Sequence, residues 1–181
     1  MTGWQRPNDT GVGNTALRRP PVAPAVARAR ALFLDDEHRH GCAETAFIVL
    51  KEAFGLPDAA DSSVAMALNG GVAYSGGVCG AVSGAALAVG QLAGSRIPDH
   101  QAAKRIAREI VAGLMGEFEA EFGSVECRTL LGRDIRTPEA HAAFIEGGSW
   151  RTVCLRQIEF VARRLTPSVA DPVTALSARP E

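Results

Sequence analysis

Four cysteines, Cys42, Cys79, Cys127 and Cys154, are the residues of this chain best suited to chemistry. They lie 37, 48 and 27 residues apart, and none belongs to a CxxC pair, so neither a zinc-ribbon knuckle nor a thioredoxin-type motif is present. What they share is position. Cys42, Cys79 and Cys127 each fall in the first turn of a predicted helix, where the dipole and free amides favour a thiolate. Cys154 falls further into its predicted helix, on the apolar stripe. Four thiols aimed inward from different helices could meet at one place. Against this stands the tendency of free cysteine to serve as a small buried hydrophobe, which any one of the four could satisfy alone.

The elements that would position them are helical. Apolar spacing predicts helices over Pro24–Asp36, Cys42–Phe54, Cys79–Leu92, Asp99–Phe122, Val125–Leu131, Pro138–Glu146 and Ser149–Leu165, with a short one after Asp61. Ile106, Ile110, Leu114, Phe118 and Phe122 recur every four residues in the longest, and Gly123 terminates it. Gly94 is the expected end of the central helix. Trp150, Cys154, Ile158, Val161 and Leu165 form the inner stripe of the last helix. No alternating strand pattern and no repeat is visible, so the expected fold class is all-α, a compact helical bundle with a Gly-rich loop before a central helix. At 181 residues one domain is expected, over 23–166, between disordered tails at 1–22 and 167–181 rich in Pro, Gly and polar residues.

Composition narrows the classes. Hydrophobic residues make up 46% and the net charge is −1, which suits a globular core and gives no basic face for nucleic acid. No secretory or twin-arginine signal is expected, and glycines break the apolar run at 68–93 too often for a membrane span. A cytoplasmic protein with reduced cysteines is predicted.

Three strings carry a family resemblance: GCAE at 41–44, CGAVSG at 79–84, and FGSVECRTLLG at 122–132, followed by the last lone cysteine. In that order they resemble the redox-active C_GCAxxG_C_C family, over residues 25 to 165. The resemblance implies a small helical protein with redox-active cysteines, often encoded near transporter genes, and kinship with the helical part of split-Soret cytochromes. No CxxCH is present, so covalent haem is not expected. Gly41 stands where a polar residue such as Asn would be expected.

Two chemistries follow. Cys42, Cys79, Cys127 and Cys154 could ligate an iron–sulfur cluster, most simply [2Fe–2S], with Gly76, Gly77, Gly80 and Gly84 letting backbone approach the cofactor. Zinc would accept the same four ligands. Alternatively Cys79, as a low-pKa nucleophile with Cys42 as its pair, could exchange disulfides with a redox partner protein or a small thiol. A third class, a non-catalytic binding or assembly protein, is suggested by the Ala- and Gly-faced helices at 79–94 and 102–116, which could also support a homo-oligomer.

Lesser candidates are His38 and His40, a nitrogen ligand or base beside Cys42, or else polar residues of a solvated linker. Tyr74 could line the pocket or simply cover the core. Arg128 could act on the Cys127 thiol, and Glu44 reads as a helix N-terminal charge. The glycines from Asn69 to Gly77 suggest a phosphate loop but lack the Lys-Ser/Thr and the preceding strand it needs.

Overall fold

The computed structural model describes residues 22–166; the two predicted tails, apart from Val22, lie outside them. Seven α-helices account for most of these residues: α1 (Val22–Phe33), α2 (Cys42–Phe54), α3 (Gly80–Arg96), α4 (His100–Phe122), α5 (Cys127–Leu131), α6 (Pro138–Glu146) and α7 (Val153–Leu165). Two 3₁₀ turns, Ser63–Leu68 and Ser149–Arg151, complete the set. The fold is all-α. Among the described residues no strand forms, only one isolated antiparallel bridge between Val78 and Glu126. No described helix is long and apolar enough to cross a membrane.

Helix α3 is the centre. It packs against α2, α4 and α7, and α1 closes the far side over α7 and α2. Ala81, Ala85 and Ala88 are fully buried, and Val82, Val89, Leu92 and Ala93 nearly so. A helix buried on several sides must be thin, because each neighbour approaches through a different face. Its sequence, GAVSGAALAVG, is thin where that matters. A Cβ at Gly84 would overlap the carbonyl oxygen of Ala43 and come within 3.0 Å of its carbonyl carbon. Helices α2 and α3 therefore meet backbone to backbone at this point.

Helix ends follow local chemistry where a cap is nearby. The Asp99 carboxylate accepts the Ala102 N–H at 2.7 Å to open α4, and Gly123, at φ 80°, closes it. Thr137 caps α6, with Pro138 in its first turn. Two ends differ from expectation. Helix α3 continues through Gly94 to Arg96, because nothing there demands a left-handed residue and the stop is Pro98, which holds Ile97 extended at φ −115°, ψ 110°. The last helix begins at Val153 rather than Ser149, since left-handed Gly148 leads into a tight 3₁₀ turn first. Cys154 consequently lies in the first turn of α7.

Candidate functional site

Each cysteine thus stands at a helix start: Cys42 opens α2, Cys79 is the residue before α3, Cys127 opens α5 and Cys154 is second in α7. The start of α2 is held from a distance. Gly41 has no side chain to cap the helix, and a Cβ there would run into the Asn69 side chain. Asn69 takes that space and supplies the cap: its Oδ1 accepts the Ala43 N–H at 3.0 Å, and its Nδ2 donates to Glu44 at 2.8 Å. Glu44, buried as the helix N-terminal charge, also accepts from Ser62 Oγ and from the Gly41 N–H, each at 3.0 Å. The polar residue expected at 41 is supplied by position 69.

Cys79 and Cys127 are clamped to each other's strands of chain. The Cys79 N–H donates to Val125 O at 2.8 Å and the Cys127 N–H to Gly77 O at 2.7 Å, with the Val78–Glu126 bridge between them. Ahead of this clamp, Gly70, Gly71, Val72, Ala73 and Tyr74 are all left-handed, with φ from 49° to 76°. Five consecutive such residues make a left-handed turn, and the three non-glycine members cost roughly 1–2 kcal/mol each. Gly76 and Gly77 close the turn by donating to Gly70 and Gly71 carbonyls.

The structure brings Cys42, Cys127 and Cys154 onto the wall of one cavity of about 380 Å³. Cys79 lies beside them. The Cys42 sulfur abuts Gly80, the residue after Cys79, and Cys79 Sγ–H points to the Gln157 amide oxygen at 3.3 Å. The glycines expected around a cofactor are placed differently. Gly84 faces the Ala43 backbone, Gly76 lies under Arg128, Gly77 faces Gly71, and Gly80 makes room for the Cys42 sulfur. Gly41 and Gly70 line the cavity instead. Arg128 reaches back to the Ser75 carbonyl, holding the loop rather than the Cys127 thiol.

The four sites do not favour free thiolates. Burial, then the neighbouring Cys42 and Cys127 sulfurs, pushes the Cys79 thiol far above its ordinary range. Burial and Cys42 push Cys127 up to about 12. Cys154 is raised well above its usual value by burial and by the other three sulfurs, and burial raises Cys42 even though the amides of Gly70, Ala43 and Gly80 act in the opposite sense. The expectation that helix starts would lower these pKa values, Cys79 above all, is therefore corrected. Desolvation and the neighbouring sulfurs outweigh the nearby backbone amides at Cys79, and the amides of Cys79 and Cys127 are already spent in the clamp.

The donor set, four thiols, suits a thiolate-bound iron–sulfur group. A single zinc ion would need sulfurs about 3.8 Å apart, from a Zn–S bond of about 2.3 Å. Among the described residues no three Cys, His, Asp or Glu side chains are arranged to hold one metal ion.

Other residues share the lining: His38, His40, Phe33 and Trp150, and Tyr74 and His141, whose ring centroids lie 4.4 Å apart. His38 meets the Trp150 ring edge-on at 5.1 Å, and His40 Nδ1 is enclosed without a hydrogen-bond partner. His141 and Gln157 were not singled out from the sequence. Gln157 sits on the stripe of α7 next to Ile158, and a buried amide there was the available signal.

An all-α domain in which four helix starts gather four reduced cysteines about one cavity is a thiol-centred protein. The model of the family described as "Putative redox-active protein (C_GCAxxG_C_C)" matches residues 40–166. The chain belongs to this family. No curated protein and no solved structure gives a significant match.

Proposed function

We propose that Cys42, Cys79, Cys127 and Cys154 together hold an iron–sulfur cluster, of [2Fe–2S] type, and that the protein transfers electrons through it. The observation that carries this is the gathering of three thiols from three helix starts on one cavity wall, with the fourth adjoining. Such a cluster would supply a one-electron couple. The chain supplies thiolates when iron compensates their charge, and the amides of Gly70 and Gly80 near the Cys42 sulfur, which favour the reduced state. Four unpaired thiols suit a reducing cytoplasmic compartment.

Anaerobic purification with iron and acid-labile sulfide counted per chain tests the reading. Equal iron and sulfide, lost in Cys127→Ser with helical circular dichroism retained, is the expected result. Absence of both from wild-type protein, purified and reconstituted, refutes it.

A second reading is favoured by the contact between the Cys42 sulfur and Gly80 beside Cys79. There Cys42 and Cys79 would form a disulfide, losing two electrons and two protons to an incoming disulfide that leaves as two thiols. Reversible loss of two titratable thiols in iron-free protein, absent in Cys79→Ser, would mark it.

A further inference from the structure

A second cavity, of about 260 Å³, is lined by apolar Phe122, Leu130 and Val153 and by polar Thr152, Arg156 and Gln157. No carboxylate is on that lining, and its uncommitted polar groups are donors. Gln157 is the most telling of them. Its side chain is only 4% exposed, and its Oε1 accepts the Cys79 S–H at 3.3 Å. Its Nε2 donates to nothing among the described residues and, unlike His40 Nδ1, is not sealed off. Gln157 lines this cavity and not that of the thiols, so the access left to its amide is from here. A nearly buried N–H without an acceptor costs free energy until a ligand or water completes it.

Arg156 supplies the charge. Arg163 and Arg164, further along α7, pair with Glu159 and Glu117, whereas Arg156 is in no ion pair among the described residues. Its guanidinium lies 5.8 Å from the centre of the Phe122 ring, a contact that leaves N–H donors to spare. The helix start adds more donors. The Thr152 hydroxyl donates to the Ser149 carbonyl at 3.0 Å, and α7 has no side-chain cap. The N–H groups of Val153, Cys154 and Leu155 find no acceptor among the described residues. A guanidinium, a buried amide N–H and an uncapped helix start together ask for one acceptor-rich, negatively charged group. A single cation matches a single negative charge better than a phosphate dianion, and the apolar residues suit a short hydrocarbon body.

We propose that this cavity binds the carboxylate of a small aliphatic acid, held by Arg156, Gln157 Nε2 and the opening amides of α7, with its hydrocarbon end against Phe122 and Leu130. The site goes beyond the cluster reading and does not depend on it. The two meet at Gln157: a carboxylate on Nε2 fixes the amide with Oε1 toward the Cys79 thiol.

Ligand-observed NMR titration of the full chain with butyrate tests the proposal, with butyramide as the neutral isostere and inorganic phosphate as the dianion. One-to-one butyrate binding at about millimolar affinity is expected from one guanidinium and a few neutral donors. Butyramide and phosphate should bind at least about tenfold more weakly. Arg156→Gln, at an exposed position, should weaken butyrate about tenfold or more, and Gln157→Met, which removes one neutral donor, about fivefold. If Gln157→Met does not fold, Thr152→Asp replaces it: that exposed position then offers the helix start its own carboxylate and must displace butyrate. The proposal is overturned if butyrate does not bind, if butyramide binds as well, or if phosphate binds more tightly. Binding unchanged in Arg156→Gln or in Gln157→Met, or in Thr152→Asp where that replaces it, overturns it too.

Discussion

The sharpest test of how this site is built uses one substitution at two places on the same helix. Gly84 and Gly90 both lie within α3, and at both alanine should be the better helix former by about 0.8–1.0 kcal/mol. Gly90 is exposed with open space where a Cβ would go, so Gly90→Ala should realise that gain. At Gly84 the new Cβ would overlap the Ala43 carbonyl oxygen and lie 3.0 and 3.1 Å from its carbonyl carbon and Cα. Those are backbone atoms of a buried helix, which cannot rotate aside, so relief requires α3 to move off α2. Overpacking of this kind costs about 1–3 kcal/mol or more. After the propensity gain, a net loss of roughly 0–2 kcal/mol is expected, placing the two variants about 1–3 kcal/mol apart. Urea unfolding followed by circular dichroism on reduced, metal-free protein measures the difference. A Gly84→Ala protein stabilised as much as Gly90→Ala would refute the close approach of α2 and α3, and with it the packing explanation of the second glycine in CGAVSG.

Three further outcomes follow from other residues. Gly80→Ala places its Cβ on the Cys42 sulfur, the end of a rotatable side chain, so the fold should survive while the thiol turns away; cluster content or Cys42 alkylation kinetics would change with the helical signal intact, and unchanged thiol chemistry would refute the contact. Asn69→Ala removes the distant cap of α2 and one of the donors to Glu44, and should cost about 1–2 kcal/mol in urea unfolding; no loss would show that water replaces the cap without penalty. The third concerns pH. All four thiols titrate higher in the folded chain than the unfolded value near 8.5, so their contribution is complete below about pH 8.5 and falls as pH rises toward the folded values, about 12 for Cys127. Metal-free reduced protein should lose at most about 1.4 kcal/mol per pH unit per thiol above pH 8.5, and a urea midpoint flat to pH 9.5 would refute the raised values.

What the sequence made legible is what neighbouring residues decide. Asp99, Gly123, Thr137 and Pro138 act within one turn of the helix they bound, and those ends are where spacing predicts them. Cys42, Cys79 and Cys127 are legible as helix-start residues for the same reason, whereas Cys154 becomes one only because the 3₁₀ turn at Ser149–Arg151 delays the start of α7. The arrangement around them was not, because its partners are remote in sequence. Asn69 caps a helix that begins 27 residues earlier, Gln157 faces a thiol 78 residues away, and the Cys79–Cys127 clamp joins two loops. The thiol pKa values are not legible for the same reason: a helix start is a local property, whereas burial and proximity to three other sulfurs are not.

The left-handed turn at 70–74 shows what the fold gives up to assemble the site. Val72 is β-branched, Ala73 and Tyr74 carry side chains, and none of the three belongs naturally at positive φ. A relaxed loop would avoid those few kcal/mol, yet it would not deliver the same groups to the same place. Within eight residues the turn sets the Gly70 amide near the Cys42 sulfur, places Tyr74 on the cavity lining, and delivers the Gly77 carbonyl to the Cys127 amide. Three separate contacts to the start of α2, the cavity and the start of α5 over-determine its conformation, as strain that persists requires. The strained turn thereby ties the start of α2 to the start of α5 through the Gly70 amide and the Gly77 carbonyl, which holds Cys42 and Cys127 to one cavity.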